Sequence, residues 1–138
     1  MRRLALASVA SVIAFLLAGC GGIKSPDLFL VTRTGSGSHA KLTMLVNEEG
    51  GIRCNGSKEL KLADLQIVKA RQIQEELQEP SSNHLILAPR PGSVLEYHVR
   101  DENGEVRFSD NSVGQPKVLR ELELFVVQAA QQVCHLPE

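Results

Sequence analysis

The chain of 138 residues has no tryptophan, one tyrosine and four phenylalanines. Aromatic side chains are too few to dominate an interior, so a core built mostly from Leu, Val and Ile is expected. Charge of one sign is lacking too: 15 basic side chains stand against 16 acidic ones. No basic stripe is present, and nucleic acid is not an expected partner. The motifs that announce chemistry are also missing. There is no His-Glu-x-x-His, no Gly-x-Ser-x-Gly, no Walker loop and no Cys-x-x-Cys. His39, His84, His98 and His135 are scattered, so neither a metal centre nor another cofactor is expected. The Gly-Ser run at residues 35–38 is followed by a strand pattern, whereas a phosphate cradle needs a helix N-terminus there. It reads as a loop.

What is present begins with a leader. Arg2 and Arg3 precede an apolar run over residues 4–17, and Leu17-Ala18-Gly19-Cys20 supplies the small residues of a peptidase site ahead of a cysteine. A membrane-spanning helix needs about 20 apolar residues. This run is interrupted by Ser8 and Ser11 and closes on Gly19, Gly21 and Gly22, so a cleaved leader is expected in preference to an uncleaved helix. An ordinary secretory signal with an incidental cysteine is the other alternative. The tetrapeptide resembles the lipobox of bacterial lipoproteins. That resemblance implies a signal peptide over 1–19, a thioether-linked diacylglycerol on Cys20 with a further amide-linked chain, and a lipidated tether over 20–27. One domain, 28–138, is then held at the outer face of the cell membrane. Two long chains hold a small domain on a bilayer where a single chain is marginal.

Without the leader, 13 basic and 16 acidic side chains remain, on a chain the size of one small domain. A domain that small gains from a staple. With Cys20 given to lipid, Cys54 and Cys134 are the two thiols left in an oxidising compartment, and a disulfide between them is expected. Two buried free thiols, or a redox pair, are the alternatives.

The periodicities predict an α+β domain: an antiparallel sheet of about five or six strands with two helices on one face. Residues 28–33, 40–46 and 52–54 read as strands, separated by turns. Residues 61–78 read as a helix with Asp64 near its start, a buried stripe of Leu62, Leu65, Ile73 and Leu77, and an Arg71–Glu75 pair on its wet side. Pro80 is expected to stop it. Residues 84–87 read as a short strand. Residues 94–110 read as a hairpin whose register follows from charge. A two-residue Asn-Gly loop opposes Arg100 to Arg107 and Glu102 to Glu105, whereas a four-residue loop over 101–104 opposes Arg100 to Glu105, Val99 to Val106 and Tyr97 to Phe108. The second register is expected. The last helix, 117–134, follows Pro116 and buries Val118, Leu122, Phe125, Val126, Ala129 and Val133.

Three places stand out as candidate contacts. The hairpin register gathers Glu96, His98, Arg100, Glu105 and Arg107 on the outer sheet face, expected to be a solvated, ion-paired surface with no pocket. Arg90 sits between Pro89 and Pro91, which stiffen its loop and lower the entropy that binding must freeze out. Leu124 and Val127 point away from the main stripe of the last helix, so either a loop covers them or they form a patch for a partner.

The whole chain resembles a group of small actinobacterial lipoproteins. The shared stretches include Leu17-Ala18-Gly19-Cys20, Arg53-Cys54-Asn55-Gly56, Val106-Arg107-Phe108-Ser109-Asp110 and Ala130-Gln131-Gln132-Val133-Cys134. More distantly, its layout is similar to the emfourin family of metalloprotease inhibitors: Thr-Arg-Thr-Gly-Ser-Gly at 32–37, a leucine-led charged helix at 62–78, a Tyr-x-Val hairpin at 97–108 and Pro-x-x-Leu at 116–119. The emfourin pattern has neither lipobox nor paired cysteines, and a lipidated Cys20 leaves no free N-terminus for an inhibitory contact. The expected function is a non-catalytic binding or envelope-interaction module on the membrane, with a protein partner. The emfourin layout implies protease inhibition as the alternative.

Overall fold

Alternating burial along Asp27–Gly35 makes the first strand, β1, the centre of the sheet: Phe29, Val31 and Arg33 point inward while Thr32 and Thr34 point out. The computed structural model describes residues 26–137. The expected signal peptide and Cys20 lie outside the described residues. The elements after β1 are β2 (Leu42–Asn47), β3 (Gly51–Cys54), β4 (Leu60–Lys61), α1 (Asp64–Ser82), β5 (Leu95–Asp101), β6 (Gly104–Ser109) and α2 (Lys117–Gln132). The six strands form one sheet in the order β4-β3-β2-β1-β5-β6, with every neighbouring pair antiparallel. Both helices cover one face, giving the α+β architecture with a single core. Cys54 and Cys134 are disulfide-bonded across 80 residues with their Cα atoms 6.3 Å apart, which ties the chain just past α2 to β3.

Leu42, Met44, Val46, Ile52, Val99 and Val106 line the inner sheet face. Few as they are, the aromatic residues of the domain all lie in this core. Phe29 meets Phe125 of α2 edge-on at 5.9 Å, and Tyr97 stacks on Phe108 at 5.0 Å. Both geometries are favourable for aromatic quadrupoles.

The hairpin has the register expected from charge pairing: Arg100 opposes Glu105, Val99 opposes Val106 and Tyr97 opposes Phe108. Its loop is tighter than expected. Asp101 and Gly104 also pair, leaving only Glu102 and Asn103 in the turn. The Asp101 carboxylate closes it by accepting from the Asn103 and Gly104 amides at 2.8 and 3.0 Å.

The first helix departs from expectation at both ends. It starts at Asp64, because residues 60–61 pair with β3 as the edge strand β4. Leu62 is therefore buried from extended chain, where helical periodicity does not apply. Leu65 then falls on the wet side of the first turn and is 83% exposed; the buried stripe is Ala70, Ile73, Leu77 and Ser81. Gln66 Oε1 accepts the Ala63 N–H at 3.1 Å, one half of a capping box. Asp64 places its carboxylate at the positive end of the helix dipole. Arg71 does not pair with Glu75 as expected; its Nη2 donates to the Glu48 carbonyl at 2.6 Å.

Nor does Pro80 stop α1, which runs on to Ser82. In the last turn a proline forfeits one backbone bond, and other contacts hold this end. Ser81 Oγ donates to Asp101 Oδ2 at 2.8 Å, and the Asn83 amide donates to Glu79 O. Gly104 permits the close approach. Its φ is +152°, and a Cβ there would lie 2.3 Å from the Ser81 carbonyl oxygen, a backbone atom that cannot swing aside. Gly104→Ala is expected to cost about 2–3 kcal/mol of stability in urea unfolding, the upper range for overpacking. A change below about 0.5 kcal/mol would show that the end of α1 is not pressed on the hairpin turn.

Residues 84–87, expected as a strand, make only a parallel bridge from Ile86 to Arg107 at the outer edge of β6. The second helix ends at Gln132, two residues before the cysteine, leaving Val133 half-buried; Leu119 and Ala130 join its buried face. The strands give the domain two poles, about 26 Å apart over the nine residues of β1. The chain enters at the near pole beside the 47–51 turn, where Asp27 pairs with Asn47. At the far pole Gly35 pairs with Leu95 and the Ser36 amide donates to Val94 O, next to the loops 88–94 and 110–116.

Candidate functional site

Period-two alternation of β5 and β6 brings Glu96, His98, Arg100, Glu105 and Arg107 to the outer sheet face, as expected. Ion pairing joins three of them. His98 Nε2 lies 2.6 Å from Glu105 Oε2, and Arg107 Nη2 lies 3.6 Å from Glu105 Oε1. The hydrogen bond from His98, then the Arg107 charge, holds the Glu105 carboxyl below its usual range. With Nε2 engaged, the imidazole keeps one ring nitrogen for another contact. Thr32 of β1 is its cross-strand neighbour and Thr34 that of Glu96.

This face is not flat. The bridge at Ile86 raises residues 86–89 beside it as a wall, enclosing with Thr32, Thr34, Glu96, His98 and Arg107 a groove of about 560 Å³. Ile86 is 70% exposed. The expectation of a surface without a pocket is therefore corrected: the wall depends on a parallel bridge between residues 21 apart, which local periodicity does not encode.

Arg90 is exposed on the loop that continues this wall to the far pole. Its backbone is held from both sides. Asn111 Oδ1 accepts the Arg90 N–H at 2.9 Å, and Asn111 Nδ2 donates to the Arg90 and Pro91 carbonyls at 3.1 and 3.3 Å. Ser112 Oγ contacts the Leu87 and Ala88 carbonyls, and Asp110 receives Ser93 Oγ and the Val94 amide. The prolines expected to stiffen the loop are thus helped by side chains of the 110–112 segment. Leu124 lies elsewhere, 58% exposed on the outer surface of α2, while Val127 is half-buried. Among the described residues, no hydrogen bond or ion pair links Arg90 to these two; it bonds with Asn111.

Sequence reasoning missed a polar cluster beneath α2 at the far pole. Arg33 is buried on the inner sheet face, its Nε donating to Ala40 O at 2.9 Å and its Nη2 to His39 O at 3.0 Å. Its charge also acts on the Tyr97 hydroxyl, favouring the ionised form. Burial, with the Glu123 charge, pushes Tyr97 up to about 12. Glu123 of α2 is half-buried above this pair, and its Oε1 is shut away from solvent with no hydrogen-bond partner. Burial and the nearby Asp110 carboxylate raise Glu123 to about 7, partly offset by the Gln115 side chain and Arg120. A signal existed: Arg33 occupies an inward position of an alternating strand with Phe29 and Val31.

Among the described residues, no group of three or more His, Cys, Asp or Glu side chains is arranged to hold a metal ion, and no helix is long and apolar enough to cross a membrane. Compared with known proteins, the chain matches no family model and shows no significant similarity to a curated protein or a solved structure.

Proposed function

We propose that this chain is a lipoprotein held on the outer face of the cell membrane through Cys20, whose domain acts by binding a protein partner and carries out no catalysis itself. The observation that carries this reading is the placement of Arg90. Its loop is held at the pole opposite the one where the chain arrives from Cys20, with a fixed backbone and an exposed guanidinium. With the lipid joined to the chain at its near-pole end, the far pole is the end more distant from the anchor. A fixed loop loses little entropy on binding, and arginine is among the residues in which contact energy concentrates. The outer-face groove next to it supplies depth for a side chain or short segment of the partner.

The reading is tested by a photo-crosslinking residue placed at Arg90 or Val113 at the far pole, or at Glu49 at the near pole, in the native envelope. A discrete adduct from the far-pole positions, absent from Glu49, is the expected result. No adduct from any far-pole position would contradict it. Arg90→Ala and Leu124→Gln are both expected to leave stability within about 0.5 kcal/mol, as for surface changes, while Arg90→Ala weakens the adduct formed from Val113. A loss of several kcal/mol on Leu124→Gln would show that this side chain belongs to the core.

A further inference from the structure

We propose that the Glu123 carboxyl is a proton-operated latch on the far pole: neutral, it lets α2 close on the 110–116 loop, and ionised, it repels Asp110 and loosens the loops that hold Arg90. The geometry has three parts. Glu123 Oε1 is buried and has no hydrogen-bond partner, a place where a charge is costly and a neutral carboxyl is not. Asp110, whose charge reaches it, is the acceptor that fastens the neighbouring loop, receiving Ser93 Oγ at 3.1 Å and the Val94 amide at 3.2 Å. The segment after Asp110 holds Arg90 through Asn111. A charge gained on Glu123 therefore acts on the residue at the root of the whole loop assembly.

The charged and titratable groups facing the carboxyl come from each element packed around it. On the sheet side, Tyr97 of β5 feels its charge, and Arg33 of β1 stands beyond, donating to the His39 and Ala40 carbonyls. Asp110 comes from the loop, and Arg120 from α2 itself, with its Nη1 on the Gln115 carbonyl at 2.9 Å. Asp110 disfavours the charge, and Arg120 with the Gln115 side chain only partly offsets it. The sign follows. A carboxyl held at about 7 in the folded protein, against roughly 4.3 in an unfolded chain, adds stability that is complete below the unfolded value. That stability is lost as pH rises through 7. The latch is closed in mild acid and open in mild base, whether or not Arg90 meets a partner.

The test uses the full-length protein in detergent micelles. Carboxyl carbon NMR should place the Glu123 midpoint near neutrality, well above the ordinary carboxylate range. Amide hydrogen exchange, corrected for intrinsic rates, is read at pH 5.5 and 8.5 for Arg90, Ser93, Val94 and Ser112. Protection at these amides is expected to fall about tenfold with rising pH, local opening being cheaper than global unfolding, and Glu123→Gln is expected to remove that dependence. An ordinary Glu123 midpoint near 4 would overturn the latch. So would a glutamine variant whose loop exchange follows pH as the wild type does.

Discussion

Replacing Cys54 and Cys134 together with alanine is expected to lower the free energy of unfolding by about 4 kcal/mol, the chain-entropy value for a closed loop of this length. The bond spans 80 residues, so in its absence the unfolded chain regains nearly the conformational freedom of the whole domain. The native state loses a clamp as well. Past Gln132 the chain has left the helix, and its remaining hold on the domain comes from the Val133 and Cys134 amides on Ala129 O, the Leu136 amide on Ala130 O, and partial burial. Fraying there reaches Ala129, Val126 and Phe125, the residues through which α2 meets the core. Urea unfolding of the double variant beside the wild type measures the difference. A loss below about 1 kcal/mol, or two free thiols in the denatured, unreduced protein, would show that the bond does not stabilise the domain.

That staple was legible because cysteine arithmetic does not depend on tertiary detail: with one thiol assigned to lipid, two remained. The hairpin register was legible for a similar reason, since opposing charges across two strands distinguish registers that hydrophobicity alone leaves equal. The errors share a different cause. Leu65 joins the stripe only when the arc is drawn through Leu62, which is extended chain; in the helix that starts at Asp64 it stands about 80° from Ile73 and about 120° from Leu77, off the side that Ala70, Ile73, Leu77 and Ser81 bury. Pro80 is a sound stop signal in isolation; the Ser81 bond to Asp101 and the space beside Gly104 override it, and both come from the hairpin some 20 residues on. The groove was invisible in the same way, and the Glu123 cluster left one trace, Arg33 at an inward position of an alternating strand. Each joins segments distant in sequence: residues 86–89 with β5 and β6, and Glu123 with Arg33, Tyr97 and Asp110. Grooves and buried polar clusters on a small domain are assembled by such long-range meetings, whereas the patterns that mark strands and helices are local.

The other large effect is expected from Cys20→Ser. A hydroxyl in place of the thiol cannot form the thioether, and each buried methylene of an acyl chain contributes about 0.8 kcal/mol to membrane residence. Losing the lipid therefore removes far more binding energy than the surface of a domain with three excess acidic charges replaces. Fractionation of cells expressing the wild type or the Cys20→Ser variant, with the mobility of each form read on the same gel, is the most direct measurement. The wild type should partition with membranes as a mature-sized species, and the variant should appear either as unprocessed precursor or as protein released from the membrane. A variant that partitions with membranes at the mature size, as the wild type does, would contradict the lipid anchor and with it the placing of Arg90 at the end more distant from that anchor.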